Sequence, residues 1–74
     1  MTFQSYITMK LWIARDKDET LWLFEEYPIK KEKLFYPTED ITGRFTYYWR
    51  MPMDMFPEVT FENSPQEVEL VIKK

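Results

Sequence analysis

The chain contains no cysteine, no histidine and a single glycine among its 74 residues, and each absence removes a class of function. Without cysteine there is no disulfide to staple a fold of this size, and without either residue the zinc sites of small domains have no ligands. The same absences take away the commonest general base and the thiol nucleophile, and Ser5 and Ser64 have no base beside them in sequence. One glycine, Gly43, cannot build the glycine-rich loop that cradles a phosphate. We therefore expect no enzyme, no cofactor and no bound metal. Long hydrophobic runs are missing as well. No stretch approaches the roughly 18 apolar residues of a membrane span, and Met1–Thr8 lacks the basic-then-apolar order of a secretory leader. The expectation is a cytoplasmic protein with no membrane contact, which a cysteine-free chain fits.

Charge is mixed and mildly acidic. Thirteen Asp and Glu against ten Lys and Arg leave a net charge of −3, which opposes the Lys- and Arg-driven neutralisation of phosphates that nucleic-acid binding requires. Residues 30–50 are the basic part, with Lys30, Lys31, Lys33, Arg44 and Arg50 against Glu32, Glu39 and Asp40. What the chain has in quantity is aromatic bulk: three Trp, five Tyr and six Phe. Each ring brings roughly 150–250 Å² of buriable surface, and a chain this short, which buries only about 60% of its unfolded surface, depends on such bulk or on self-association. One domain is the expected count, since there is no length for a second core.

The alternation of apolar and polar residues predicts a mainly β domain: a small antiparallel sheet of about four to five strands, an N-terminal hairpin, and at most one short helical turn. Met9–Glu26 contains two β-prone runs around the polar cluster Asp16–Glu19. A three-residue loop, Lys17–Glu19, in a type I turn with a bulge puts Asp16 opposite Thr20, Ala14 opposite Trp22 and Trp12 opposite Phe24. One face then carries Trp12, Ala14, Trp22 and Phe24, and the other carries Leu11, Ile13, Leu21 and Leu23. A half-exposed strand has one polar face, so a hairpin apolar on both sides must be covered twice or must offer one face to a partner. Further along, Lys30–Tyr36 fits a short edge strand, Pro37–Gly43 a loop, and Arg44–Arg50 a strand. Pro52 and Pro57 bracket a segment with room for one helical turn. Ser64-Pro65-Gln66-Glu67 has the form of a helix start, but Val68, Leu70 and Ile72 alternate with polar residues and predict a final strand.

The blocks Met9–Asp18 (MKLWIARDKD), Leu21–Phe24 (LWLF) and Phe56–Pro65 (FPEVTFENSP) resemble a family of short uncharacterised proteins of bacterial and phage-like genomes, for which no function is established. The resemblance runs from about Met9 to the C-terminus and is poor in the middle. It implies that Met1–Thr8 is an N-terminal extension to a domain over 9–74, and that an accessory role in a mobile element is one expectation. Members carry Gly where this chain has Glu19.

Two candidate sites remain once calcium is rejected: Asp16, Asp18 and Thr20 echo the opening of a calcium loop, but Leu21 replaces its glycine and Tyr27 its last glutamate. Trp12, Trp22 and Phe24 are candidate protein-binding residues, because Trp and Tyr anchor interfaces; the competing reading of the same rings is core. Arg44, Tyr48, Trp49 and Arg50 form an aromatic and basic strand of the kind on which single-stranded bases stack. The leading expectation is a non-enzymatic domain that binds a protein partner or forms a homo-oligomer, with single-stranded nucleic-acid binding the alternative. Because the electrostatics are unfavourable, no salt-dependent binding of single-stranded DNA or RNA is expected in the micromolar range. Fluorescence anisotropy at low salt checks this, and tight binding lost in Trp49→Ala would reverse the order of the two functions.

Overall fold

The computed structural model describes residues 6–73, with side chains from Met9 to Val71. Six strands follow in order: β1 (Tyr6–Arg15), β2 (Leu21–Phe24), β3 (Ile29–Lys30), β4 (Phe35–Tyr36), β5 (Tyr48–Met51) and β6 (Gln66–Lys73). Four make one antiparallel sheet in the order β5-β2-β1-β6, and β3 and β4 make a separate two-stranded ribbon. The described residues contain no helix, so the mainly β reading holds. Met1–Ser5 of the expected extension lie outside the described residues, whereas Tyr6–Thr8 open β1 and pair with Val71–Lys73.

The hairpin register is the expected one: Trp12 faces Phe24, Ile13 faces Leu23, and Ala14 faces Trp22. Its loop closes through Asp16 N–H to Thr20 O at 2.8 Å and Glu19 N–H to Asp16 O at 3.0 Å, with Glu19 in the left-handed region at φ 78°. The same geometry recurs at Asp40–Arg44. There Asp40 N–H donates to Arg44 O at 2.7 Å, Gly43 N–H to Asp40 O at 3.0 Å, and Gly43 has φ 83°. Two loops of one design thus carry glutamate in one case and glycine in the other at the position that favours glycine.

Two expected strands come out differently. Lys30–Tyr36 is not one edge strand but the two short arms of a ribbon, because three consecutive charged residues, Lys31–Lys33, turn the chain and Lys31 N–H bonds Leu34 O at 2.8 Å. Only the last part of Arg44–Arg50 joins the sheet. Its first half folds back on Thr38–Asp40, with Thr46 N–H on Thr38 O at 2.8 Å and a bridge between Glu39 and Phe45. Residues 52–57 form turns rather than a helical turn, with Met55 N–H on Pro52 O.

Both apolar faces of the hairpin are covered near its tip, by this chain itself. Leu21 pairs with Met51 and Ile13 with Gln66, so the connection 52–65 runs across the tip end of the sheet from one edge to the other. On it, Val59 closes a cluster with Ile13 and Leu21, against which Leu23, Met51 and Val68 pack. On the opposite face, Ala14, Phe24 and Phe35 form a second cluster with Trp12, Trp22 and Phe61 around it. Phe24, Ile13 and Leu21 are the largest fully buried side chains, each stabilising the fold by roughly 1.5–3 kcal/mol.

A β-carbon at positive φ costs about 1 kcal/mol against the following carbonyl, and glycine at Glu19 relieves it while returning part of the gain as chain entropy. Glu19→Gly is expected to stabilise the domain by about 0.5–1 kcal/mol, and Glu19→Val to destabilise it because branching worsens the clash. Denaturant midpoints at unchanged slope measure both; a lower midpoint for Glu19→Gly would contradict the loop geometry.

Candidate interaction surface

The end of β1 places two charged residues, Arg15 and Asp16, at successive positions and therefore on opposite faces. Both are nearly buried, at 5% and 8% exposure. On the aliphatic side, the Arg15 guanidinium donates five hydrogen bonds to backbone carbonyls: Nε to Val59 (2.6 Å), Nη1 to Glu19 (2.9 Å) and Met53 (3.0 Å), and Nη2 to Met55 (2.9 Å) and Phe56 (3.1 Å). A guanidinium has five N–H donors, so its capacity is fully used. The Arg15 amide donates to Ser64 Oγ at 3.0 Å, and that hydroxyl donates on to Thr60 O.

On the tryptophan side, Asp16 Oδ2 accepts from Trp22 Nε1 and Oδ1 from the Phe35 amide, both at 2.9 Å. Burial pushes the Asp16 carboxyl above the ordinary carboxylate value; those two hydrogen bonds oppose the rise, and the charge of Asp18 adds to it. Asp16 borders a hollow of about 220 Å³ whose other walls include Trp22, Phe24, Phe35, Tyr36 and Tyr48. Trp22 meets Tyr48 edge-on at 5.6 Å, and Phe35 meets Phe61 at 5.5 Å. Lys30 lies over the Phe61 ring at 4.4 Å and donates to Phe61 O at 3.1 Å. These groups are committed to one another. Asp16 is engaged at both oxygens, and neither side of the hairpin tip sets a nucleophile beside a base. Among the described residues no group of three or more Asp and Glu could hold a metal, and no helix is long and apolar enough to cross a membrane.

The structure distributes the sequence candidates unevenly. Phe24 is 1% exposed, so it belongs to the core and presents no surface. Trp12 and Trp22 are half-buried against the same cluster, Trp12 with Tyr27 edge-on at 4.8 Å. Arg44, Tyr48, Trp49 and Arg50 do not share one platform. Tyr48 and Arg50 face Phe24 and Trp22 on the tryptophan side, Trp49 faces Leu23 on the aliphatic side, and Arg44 closes the Asp40 loop.

The aliphatic side also carries exposed apolar residues. Met9, Trp49, Tyr47 and Leu70 are all exposed there, Leu70 at 54% and Tyr47 at 70%. Register fixes their common face: Met9 pairs with Leu70, Trp49 with Leu23, and Glu25 N–H bonds Tyr47 O. Tyr47 stacks on Trp49 at 6.3 Å. Leu70 also borders an apolar cleft of about 170 Å³, lined by Leu11, Ile13, Leu23, Met51, Phe56, Val68 and Glu69. Sequence reasoning chose the tryptophan face because Trp is the better interface anchor; it could not show which face receives the ribbon. No family model matches the chain, and no curated protein or solved structure is significantly similar to it.

Asp16 gives a pH test whose sign is fixed. A carboxyl whose native pKa lies above the unfolded value holds its proton longer in the folded state, so its stabilisation is complete below pH 3.8 and is lost as pH rises through the native value. The opposite slopes of Asp18 and Asp40, whose carboxyls are lowered mainly by hydrogen bonds from Thr20 and Thr42, cancel when wild type is compared with a variant at Asp16. Asp16→Asn, which cannot ionise, though its amide nitrogen leaves one of the two donors without an acceptor, is expected to gain on wild type as pH rises through that window. Asp16→Ala, which leaves Trp22 Nε1 and the Phe35 amide without an acceptor, should cost about 1–3 kcal/mol. Denaturant titrations across acid to neutral pH read all three, and an Asn variant that loses ground with rising pH would refute the assignment.

Proposed function

We propose that this chain is a non-enzymatic cytoplasmic domain that works by binding protein, either a partner or a second copy of itself, through the apolar band on its aliphatic face. One observation carries the reading: Met9, Leu70, Trp49 and Tyr47 stand exposed on one face, with Leu70 bordering an apolar cleft. Exposed apolar surface gathered on one face marks contact sites on small proteins. Trp49 and Tyr47 supply large, rigid contact area at the band's border, the composition favoured in interface anchors. The family resemblance adds an accessory role in a mobile element to this reading.

A second reading, binding of single-stranded nucleic acid, draws on the stacked and exposed Tyr47–Trp49 pair. Rings of this kind accept bases, but the arginines the sequence associates with them are elsewhere, and the net charge of −3 opposes the electrostatic part of such binding.

A photo-crosslinking amino acid in place of Trp49, with Ile41 on the distal loop as control, separates the readings in cells. A discrete adduct of protein mass at Trp49 and none at Ile41 is expected. A nuclease-sensitive adduct would favour the second reading, and no adduct at Trp49 would overturn the proposal.

A further inference from the structure

Going beyond that reading, we infer that this chain also pairs with a second copy of itself, joined antiparallel along β6 with Leu70 facing Leu70 of the other copy at a two-fold axis, an edge contact distinct from the apolar face. The inference starts from hydrogen-bond parity. Asp16 N–H bonds Thr20 O, so in the continuous register of β1 with β2 the even-numbered residues of β1 bond to β2. The odd-numbered ones then turn toward β6, as Arg15 N–H does toward Ser64 Oγ. Their partners across the ladder, Gln66, Val68, Leu70 and Ile72, spend their backbone groups on β1. Glu67, Glu69, Val71 and Lys73 therefore direct theirs out of the sheet.

That outer edge has the properties of a pairing strand. β6 is eight residues long, has no proline or glycine within it, and is the last strand of the sheet among the described residues. Natural sheets blunt such edges with proline, bulges, shortness or charge; β6 has only the last, in Glu67, Glu69 and Lys73, so the register must keep like charges apart. The other outer strand, β5, is only four residues and is followed by Pro52. Exposed Leu70 and Val71 lie at the middle of β6.

The sequence of β6 is self-complementary about one residue only when overlap and charge are weighed together. With Leu70 at the centre, Glu67 faces Lys73 at both ends, Glu69 faces Val71, and Val68 faces Ile72 over an overlap of residues 67–73. The outward-directed residues face one another in this register, as an antiparallel ladder demands. Centring on Val68 or Glu69 sets glutamate against glutamate, which is destabilising. Centring on Val71 leaves only 69–73 overlapped. Glu67 already bridges Lys10 of its own chain at 3.7 Å. An isologous pairing of this kind is the commonest oligomer symmetry. Its two-fold axis stands perpendicular to the sheet, so the apolar bands of the two copies come to lie side by side on one surface.

The register makes residue 70 its own neighbour, which gives the test. Sedimentation of the full chain over a concentration series should show a monomer–dimer equilibrium. Leu70→Glu and Leu70→Lys, both at an exposed position, should each weaken it at least about tenfold by opposing like charges, and an equimolar mixture of the two should restore dimers. Val71→Pro removes an outward N–H without touching the β1 ladder, so it should abolish dimers while the circular dichroism melt of the monomer persists. A strict monomer at every concentration, or variants that fail to rescue each other, would overturn the inference. Dimers untouched by Val71→Pro would do the same, since they would be formed face to face. A protein adduct at Trp49 alongside a strictly monomeric chain would sink this inference alone and leave the protein-binding reading standing; absence of both would remove the two together.

Discussion

A guanidinium enclosed by carbonyls organises this fold. Residues 53–59 make no regular structure, and a buried carbonyl without a donor costs as much as a lost hydrogen bond. Arg15 supplies the donors for Met53, Met55, Phe56 and Val59 from one point. Lysine could not replace it, because an ammonium has three donors and no planar fork. With the segment fixed, Val59 covers Ile13 and Leu21, and the chain can pass from β5 at one edge of the sheet to β6 at the other. The core of one face is thus conditional on a charge buried at the end of that same face.

Asp16 does the equivalent on the other side with fewer bonds. By accepting from the Phe35 amide it sets β4 against the sheet, and by accepting from Trp22 Nε1 it satisfies an indole donor that would otherwise be half-buried without a partner. The loop it begins also joins the ribbon directly, through Lys17 N–H to Lys33 O at 2.9 Å. Successive residues of one strand therefore fasten the coverings of opposite faces. The hairpin tip, which in an isolated hairpin is surrounded by solvent, becomes the place where three segments meet.

The hairpin was legible in the sequence because its information is local: a period of two, a polar cluster of fixed length, and aspartate at the loop entry specify register without reference to the rest. The final strand was legible for the same reason, since Val68, Leu70 and Ile72 outweighed the helix-like start at Ser64. The ribbon and the folding back of residues 38–46 were not, because they depend on which partner a short charged or aromatic segment finds, and no periodicity encodes that choice. Arg15 carried a readable signal that the candidate sites did not use. A charged residue continuing the inward series Leu11, Ile13 must be solvated by something, and only the structure shows that the donors go to carbonyls forty residues away in the chain. The tryptophan face was read by residue type, and residue type cannot distinguish a contact surface from a core awaiting its cover.

The open part of the aliphatic face reflects where the covering segments lie. Among the described residues the two faces of the four-stranded sheet are covered by the ribbon and the 52–65 connection. Both are drawn to the tip, because Arg15 and Asp16 are there and buried charges must be satisfied before apolar surface is covered. What remains exposed on the aliphatic side includes Met9, Leu70, Trp49 and Tyr47. The same two buried residues that complete the core at the tip leave this apolar surface open.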